Sequence, residues 1–187
     1  METLVETKQL LKLNLGCGTD IRPGWVNMDI ANLAGVDIVH NIETLPLPFA
    51  DCHFDEILCQ DILEHIEYIP VLKDLHRILK PGGILTIRVP HFTSRNNYID
   101  PTHKKMFSNR TFNFFVSDSY LGRNYYFDFS YSSTISLKLT FLKRPKYFYN
   151  YLIEPFINMR EGNQDLYEDT FLSRLFPALN VEVVLRK

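Results

Sequence analysis

A short apolar run that stops at two closely spaced glycines constrains this chain more than any other feature. Residues 10–15 (LLKLNL) have the length and composition of a buried strand, and Gly16-Cys17-Gly18 follows at once. A strand that ends in a glycine turn places exposed backbone N–H groups at the carboxyl edge of a parallel sheet, where open α/β folds bind ligands. The sequence therefore predicts an α/β protein with a ligand site at this turn.

Further short apolar segments alternate with connections along the chain. Strands are predicted at residues 25–30, 36–40, 54–59, 84–90 and 181–186. A helix is predicted from Asp61 to Leu79, with Pro70 as a candidate break, and it ends at the KPGG sequence of residues 80–83. Another helical stretch lies near residues 165–175. Apolar strands that alternate with such connections predict a Rossmann-like, doubly wound and mostly parallel sheet.

The first crossover of the predicted sheet departs from the doubly wound pattern. Only six residues, Thr19 to Gly24, separate the glycine turn from the next predicted strand. We therefore expect the helix of this crossover to be missing or reduced to a turn. The predicted fold is an α/β sheet with a shortened first crossover.

The second half of the chain differs in composition. Residues 96–150 hold 15 of the 25 aromatic residues, and they carry eight lysines and arginines against three acids. This segment is too apolar to be a disordered linker, so it is predicted to pack on the sheet as a cap. The chain is interpreted as one domain, 1–187. It divides into a cofactor-binding half (1–90), a substrate cap (91–160) and a closing helix and strand (161–187).

Charge and cysteine usage exclude several classes of protein. The net charge of −2 argues against nucleic acid or anionic lipid as a partner of the whole protein. The three cysteines form no CxxC pair, and with the six histidines they show no zinc-ligand spacing, so neither a disulfide framework nor a metal is predicted. The N-terminus lacks the apolar region of a signal peptide, and no apolar run approaches 18 residues. We expect a cytoplasmic protein without a membrane span.

An acid after the second strand narrows the choice of ligand. Asp29 lies 13 residues beyond Gly16, where a carboxylate can accept both hydroxyls of a ribose. Nicotinamide dinucleotides and S-adenosylmethionine both need that partner, and a G-x-G sequence alone can also be a plain tight turn. A dinucleotide site has a third glycine, here replaced by Ile21, and a helix N-terminus that holds the pyrophosphate. The missing helix therefore favours S-adenosylmethionine, which carries no phosphate.

Five motifs in unbroken order resemble those of class I S-adenosylmethionine-dependent methyltransferases. They are LNLGCG, the acid of NMDI, LPFADCHFDEI, LEHI and HRILKPGG, within residues 11–90. The sequences PHF and DPTHKKMF, at residues 90–92 and 100–107, are similar to a bacterial subgroup of small, type 11-like methyltransferases. The resemblance implies S-adenosylmethionine as cofactor and S-adenosylhomocysteine as product.

The resemblance also implies which residues hold the cofactor. Gly16, Cys17 and Gly18 would line its methionine part. Asp29 would hold the ribose hydroxyls, and Ile30 would pack on the adenine. The loop after the third strand would reach the adenine amino group through the Asn41 amide oxygen, with Ile42 beside it. Past the fourth strand, the methionine part and the substrate would be contacted by Gln60 and Asp61.

Three histidines are candidates for catalysis, because a neutral imidazole can take a proton from a hydroxyl or amine during methyl transfer. His91 directly follows the strand at 84–90, and His103 lies in the DPTHKK sequence. His65 either borders the active site or caps and packs a helix. His103 has a structural alternative as well, a hydrogen bond to Asp100 that locks the cap. Glu64 fits a capping box begun by Asp61 and is interpreted as structural.

The sequence thus predicts methyl transfer to an oxygen or nitrogen of a small-molecule acceptor, with an anionic, glycan-related or secondary-metabolite acceptor as candidates. Alternatives are an RNA methyltransferase, an enzyme that transfers another group of S-adenosylmethionine, and a non-catalytic cofactor-binding subunit. A homodimer through residues 125–150 is a further expectation.

Overall fold

The computed structural model describes residues 10–123 and 125–187, which contain seven strands and five α-helices. The strands are β1 (Lys12–Leu15), β2 (Val26–Asp29), β3 (Ile38–Val39), β4 (Phe54–Gln60), β5 (Leu79–Pro90), β6 (Ser133–Thr140) and β7 (Asn180–Arg186). The helices are α1 (Tyr68–Ile78), α2 (Asn96–Ile99), α3 (Asn150–Ile157), α4 (Glu161–Asp169) and α5 (Leu172–Leu175). The prediction about the N-terminus falls mainly on residues 1–9, outside the described residues.

The strands form one sheet in the order β3-β2-β1-β4-β5-β7-β6. Strands β1 to β5 are parallel, and β7 runs antiparallel to both β5 and β6. Leu13 in β1 pairs with Val26 on one side and Ile57 on the other, so the carboxyl ends of β1, β2 and β4 meet at one edge. The predicted mostly parallel, Rossmann-like sheet is confirmed.

The first crossover is a loop without a helix, as predicted, and two buried strand amides hold it. The Asn14 side chain donates from Nδ2 to the carbonyl of Asp20 at 2.7 Å. The Asn27 side chain accepts from the N–H of Arg22 at 2.9 Å and donates to its carbonyl at 3.2 Å. Side-chain hydrogen bonds therefore fix the loop on the sheet face that a crossover helix would otherwise cover.

The helix predicted from Asp61 begins later, at Tyr68, and the predicted capping box is wrong. Residues Leu63–His65 form one 3₁₀ turn without a side-chain cap. The carbonyl of Glu64 accepts from the backbone N–H groups of Lys104 and Lys105, at 2.7 and 3.2 Å. In an α-helix that carbonyl would accept from the N–H group four residues further along, so its contact with the segment 91–160 takes the place of a helical hydrogen bond. Pro70 lies in the first turn of α1, where its missing N–H has no intrahelical partner to lose.

The predicted cap contains one strand that the sequence analysis missed. Residues Ser133–Thr140 form β6 at the edge of the sheet, paired with β7 over its length. The described residues between β5 and β6, 91–123 and 125–132, carry α2 and a 3₁₀ helix at Thr111–Phe115. The exposed side chains of Tyr125, Tyr126 and Phe148 lie within the segment for which a homodimer contact is predicted.

The core joins the sheet, α1 and the aromatic half of the chain. Phe107, Phe112 and Tyr131 are fully buried and belong to the same cluster as the strand residues. The Tyr131 hydroxyl donates to the backbone carbonyl of Leu72 in α1 at 3.1 Å, which satisfies its buried polar group. Among the residues described, no helix has both the length and the apolar character needed to cross a bilayer.

Candidate active site

Two clefts open side by side at the carboxyl edge of the parallel strands, and the His65 side chain lines both. The glycine cleft has a volume of about 280 Å³ and is lined by Leu15, Gly16, Met28, Asp29, Ile30, His40, Asn41, Ile42, Glu43, Ile62, His65 and Ile66. The histidine cleft has a volume of about 450 Å³ and is lined by Asp61, Glu64, His65, Arg88, Pro90, Asn96, Ile99, Asp100, His103 and Asn180. A ligand in each cleft would therefore meet the other at His65.

The floor of the glycine cleft requires glycine at position 16. The backbone of Gly16 has φ of +64°, in the left-handed region that glycine tolerates best. A Cβ atom placed there would lie 2.1 Å from Cδ1 of Ile62. The turn is fixed to the sheet because the N–H groups of Gly16 and Cys17 both donate to the carbonyl of Met28.

Asp29 presents an anchored carboxylate to the glycine cleft. Its Oδ2 accepts from the N–H of Gly18 at 2.8 Å, and its Oδ1 accepts from the N–H of Ala31 at 2.8 Å. An ionised carboxylate has about four acceptor sites, so each oxygen keeps capacity for a further donor. The side chain is therefore held ready to accept two hydroxyl groups of a bound ligand.

The remaining walls of the glycine cleft are largely apolar. Ile42, Ile62 and Ile66 line it, and Ile30 is 66% exposed at its mouth. The Asn41 amide oxygen accepts from the N–H of Glu43 at 3.0 Å, which uses one of its two acceptor sites. Such walls suit a flat, apolar ring whose edge carries a few polar groups.

Asp61 and Arg88 form an ion pair in the histidine cleft. The guanidinium of Arg88 donates to both carboxylate oxygens of Asp61, from Nε at 3.1 Å and from Nη2 more closely. Asp61 has φ of +54°, an uncommon value for a residue other than glycine, at the turn after β4. The positive charge of Arg88 is thus neutralised within the protein.

A chain of hydrogen bonds orients the ring of His65. The Thr102 hydroxyl donates to Oδ1 of Asp100 at 2.6 Å and lies 2.8 Å from Nδ1 of His65. Because the hydroxyl has a single proton, its oxygen must accept from Nδ1–H of the imidazole. A neutral His65 therefore carries its proton on Nδ1 and leaves Nε2 as a free lone pair.

Glu64 and His103 complete the cluster around His65. The Glu64 side chain is fully buried, and neither carboxylate oxygen has a hydrogen-bond partner among the residues described. Burial raises the pKa of Glu64 to about 7, and the charge of Asp61 adds to this rise. The His103 ring lies 4.6 Å from that of His65, and burial followed by this neighbour lowers the pKa of His103.

Three residues predicted to bind the cofactor line neither cleft. The N–H of Gly18 donates to the Asp29 carboxylate, and Gln60 accepts from the Arg22 guanidinium at 3.3 Å. Cys17 is buried, and burial followed by the Asp29 charge raises the pKa of its thiol. The other predicted residues divide between the clefts, with Gly16, Asp29, Ile30, Asn41 and Ile42 in the first, Asp61 and His103 in the second, and His65 in both.

His91 lies away from both clefts and has both ring nitrogens engaged. Its Nδ1 accepts from the N–H of Thr93 at 3.2 Å, which places the ring proton on Nε2. Nε2 then donates to Glu168 at 2.9 Å, and the imidazole is completely buried. This geometry places His91 at the contact between the end of β5 and α4, outside both clefts.

Several residues of the two clefts were not predicted from the sequence. Thr102 lies within the DPTH sequence and was not predicted, while Asp100 was expected only as a structural partner of His103, from which it lies 3.8 Å. His40 also lines the glycine cleft and has Nε2 2.9 Å from the carbonyl of Thr44. No sequence pattern marks His40, because its loop position has no periodicity.

The sequence of residues 13–87 matches a family model described as a methyltransferase domain. One relative is an uncharacterized protein of Methanocaldococcus jannaschii, 47% identical over 45 residues, which are 24% of this chain and 20% of that protein. Another is the demethylmenaquinone methyltransferase of Staphylococcus epidermidis, 38% identical over 56 residues, or 29% of this chain and 23% of that enzyme. The match thus spans less than a quarter of the length of either relative.

Solved structures resemble the whole chain. A SAM-dependent methyltransferase from Archaeoglobus fulgidus superposes with a TM-score of 0.60 at 19% identity, covering 95% of this chain and 86% of that one. An S-adenosylmethionine-dependent methyltransferase from Mesorhizobium loti gives a TM-score of 0.54 at 13% identity, covering 98% and 94%. At these identities the likeness shows a shared fold.

Proposed function

Since the chain carries a methyltransferase domain at residues 13–87 and has the class I methyltransferase fold, we propose that it transfers a methyl group from S-adenosylmethionine to a small molecule. The observation that carries this proposal is the pair of clefts that meet at His65. One cleft offers an anchored carboxylate between apolar walls, and the other offers titratable groups. A cofactor and an acceptor bound there would face each other.

The residues of the glycine cleft fit an adenosyl cofactor. Asp29 would accept the two ribose hydroxyls, and Ile30 with Ile42 would enclose the adenine. The close approach of Ile62 to the Gly16 backbone leaves no room for a larger side chain beneath the ligand. The described residues that line this cleft include Asp29 and Glu43 but no lysine or arginine, which suits a cationic sulfonium and opposes a pyrophosphate.

The mechanism needs an aligned acceptor and a place for its proton. S-adenosylmethionine supplies a methyl group on a sulfonium sulfur, which is a good leaving group. His65 takes the acceptor's proton on Nε2, while Thr102 and Asp100 hold the ring and stabilise the charge that develops on it. The acceptor oxygen or nitrogen would bond to the methyl carbon, and the electron pair of the broken carbon–sulfur bond would stay on sulfur. Alignment of the acceptor in the cleft would contribute several kcal/mol.

The charges of the histidine cleft favour a neutral acceptor. Asp61, Glu64 and Asp100 line this cleft, while Arg88 is paired with Asp61. Three basic side chains of the cap are paired outside this cleft, since Lys105 contacts Glu67, Arg110 contacts Asp165 and Lys143 contacts Glu154. An anionic acceptor would meet like charges, so we propose a neutral, hydroxyl-rich acceptor such as a glycan-related molecule.

Calorimetric titration and an acceptor panel test the proposal. Titration with S-adenosylhomocysteine should give a dissociation constant in the micromolar range, while NAD should give no binding heat. Radiolabelled S-adenosylmethionine is then offered with neutral sugars, phosphorylated sugars and RNA. We expect label in a neutral sugar. Absence of adenosyl binding overturns the methyltransferase proposal, and label in RNA or in phosphorylated sugars overturns the acceptor class.

A further inference from the structure

We propose that Glu64, His65 and His103 form a binding site for one divalent transition-metal ion in the histidine cleft. Each residue offers one ligand atom, a carboxylate oxygen or a ring nitrogen, and these atoms lie within 4.8 Å of one another. Ligands on a single zinc ion, each about 2.0–2.2 Å from the metal, lie about 3–3.5 Å apart. Small side-chain rotations would therefore bring the three groups onto one ion.

The buried carboxylate of Glu64 is the second, independent observation. The side chain is fully buried and lines the histidine cleft, yet both of its oxygens lack a hydrogen-bond partner among the residues described. Buried polar groups are nearly always paired, and buried charges are paired or coordinate metals. A cation bound in this cleft would supply the missing partner.

Each of the two imidazoles has one nitrogen that can bind a metal ion, and Asp100 lies beside the other nitrogen of His103 and is linked to that of His65 through Thr102. His65 donates from Nδ1 to Thr102, which leaves Nε2 free for coordination. Nδ1 of His103 is buried without a hydrogen-bond partner in the described part of the chain, and its Nε2 lies 3.8 Å from Asp100. Histidine ligands typically donate their other ring N–H to a carboxylate or hydroxyl, which fixes the tautomer and the orientation of the ring. Asp100 is positioned to serve both rings in this way.

The donor set indicates the class of ion. Two imidazoles and one carboxylate suit zinc, iron(II), cobalt(II) or manganese(II), whereas magnesium and calcium prefer all-oxygen sites. The sequence-based expectation of no metal depended on cysteine and histidine spacing, but His65 and His103 are far apart in the chain and Glu64 adjoins one of them. Three protein ligands leave positions open toward the cleft, which is typical of catalytic rather than structural metal sites.

The role of the ion in catalysis rests on the proposed function, although its binding does not. An ion here would orient an acceptor hydroxyl and lower its pKa, so that the proton leaves to solvent before the oxygen bonds to the methyl carbon. The carbon–sulfur bond then breaks with its electron pair on sulfur, as above. His65 would act as a ligand in this arrangement, and the ion would replace its free Nε2 in promoting loss of the proton.

Metal binding is tested on the full chain after treatment with a chelator. Zinc chloride and cobalt chloride are titrated separately, by calorimetry and, for cobalt, by visible absorption. We expect one ion per chain, and at least tenfold weaker binding in Glu64→Gln and in His103→Ala. Glu67→Gln and His53→Ala are matched controls outside the cluster and should bind the ion as the wild type does.

The outcomes separate this inference from the proposed function. The metal site is overturned if neither ion binds, or if Glu64→Gln and His103→Ala bind cobalt as tightly as the wild type. In that case the methyltransferase proposal still holds if the chelator-treated chain binds S-adenosylhomocysteine as tightly as the untreated chain does. Metal binding without S-adenosylhomocysteine binding keeps the site and overturns the methyltransferase proposal.

Discussion

Replacement of Asp29 by alanine is the sharpest test of the glycine cleft. The change removes a carboxylate that accepts from two backbone N–H groups at 2.8 Å and that is placed to accept two ribose hydroxyls. Hydrogen bonds to a charged group contribute about 1.5–3 kcal/mol each. At the lower end of that range, loss of two ribose contacts costs about 3 kcal/mol, which weakens S-adenosylhomocysteine binding roughly 150-fold.

The same substitution should lower the stability of the fold by a smaller amount. Water can reach the N–H groups of Gly18 and Ala31 once the carboxylate is gone, so we expect a loss of about 1–2 kcal/mol in urea unfolding. Asp37→Ala is the matched control, because that carboxylate accepts from Asn27 N–H at 2.7 Å but lines neither cleft. This control should lose stability while it keeps its affinity for S-adenosylhomocysteine.

Calorimetric titration of Asp29→Ala and Asp37→Ala with S-adenosylhomocysteine tests whether Asp29 binds the ribose. If Asp29→Ala binds S-adenosylhomocysteine within threefold of the wild type, the ribose assignment is wrong. If Asp37→Ala loses affinity to the same degree, the effect of Asp29→Ala reflects general damage to the sheet edge. Either result would refute the reasoning from geometry.

Three further predictions concern other parts of the molecule. Tyr131→Phe removes one buried hydrogen bond and should lower the free energy of unfolding by about 1 kcal/mol in urea; no change would contradict the pairing. Thr102→Val should release the His65 ring, so that ¹⁵N NMR at a pH where the ring is neutral finds the Nδ1–H tautomer in the wild type and a mixture of the two neutral tautomers in the variant; identical spectra would exclude the hydrogen bond to Thr102. The hydrogen bond from Arg110 lowers the pKa of Asp165 in the folded protein. The ionised carboxylate therefore stabilises the fold fully at a pH above about 3.9, the pKa of an aspartate in the unfolded chain. This contribution disappears as the pH falls through the lower pKa of the folded state. Asp165→Asn should therefore be less stable than the wild type at neutral pH and equally stable at strongly acidic pH, and a constant difference would contradict this.

Local patterns were sufficient to predict the parallel strands of the sheet and two residues of the glycine cleft, Gly16 and Asp29, whereas Ile30, Asn41 and Ile42 were expected from the family resemblance. The LNLGCG run, the acid of NMDI and the short loop between them are close in sequence, and their spacing fixes which edge of the sheet they share. The late start of α1 could not be predicted in this way. It depends on the contact between the Glu64 carbonyl and the N–H groups of Lys104 and Lys105, some 40 residues away in the chain.

Strand β6 was missed for a related reason. Ser133–Thr140 lies at the sheet edge with most of its side chains half-buried, and the surrounding aromatic residues obscured its alternation. The histidine cleft depends on tertiary contact in the same way, because His65 and His103 are brought together only when the cap docks. Sequence reasoning could select both histidines as candidates, but it could not place them beside a buried Glu64.

The loop that replaces the first crossover helix has a thermal consequence. The buried amides of Asn14 and Asn27 hold it through polar contacts, where a helix would bury apolar area. Unfolding then exposes more polar and less apolar surface, and polar exposure lowers the heat capacity change. We therefore expect this loop to add less to the heat capacity change of unfolding than a crossover helix packed on the sheet would add.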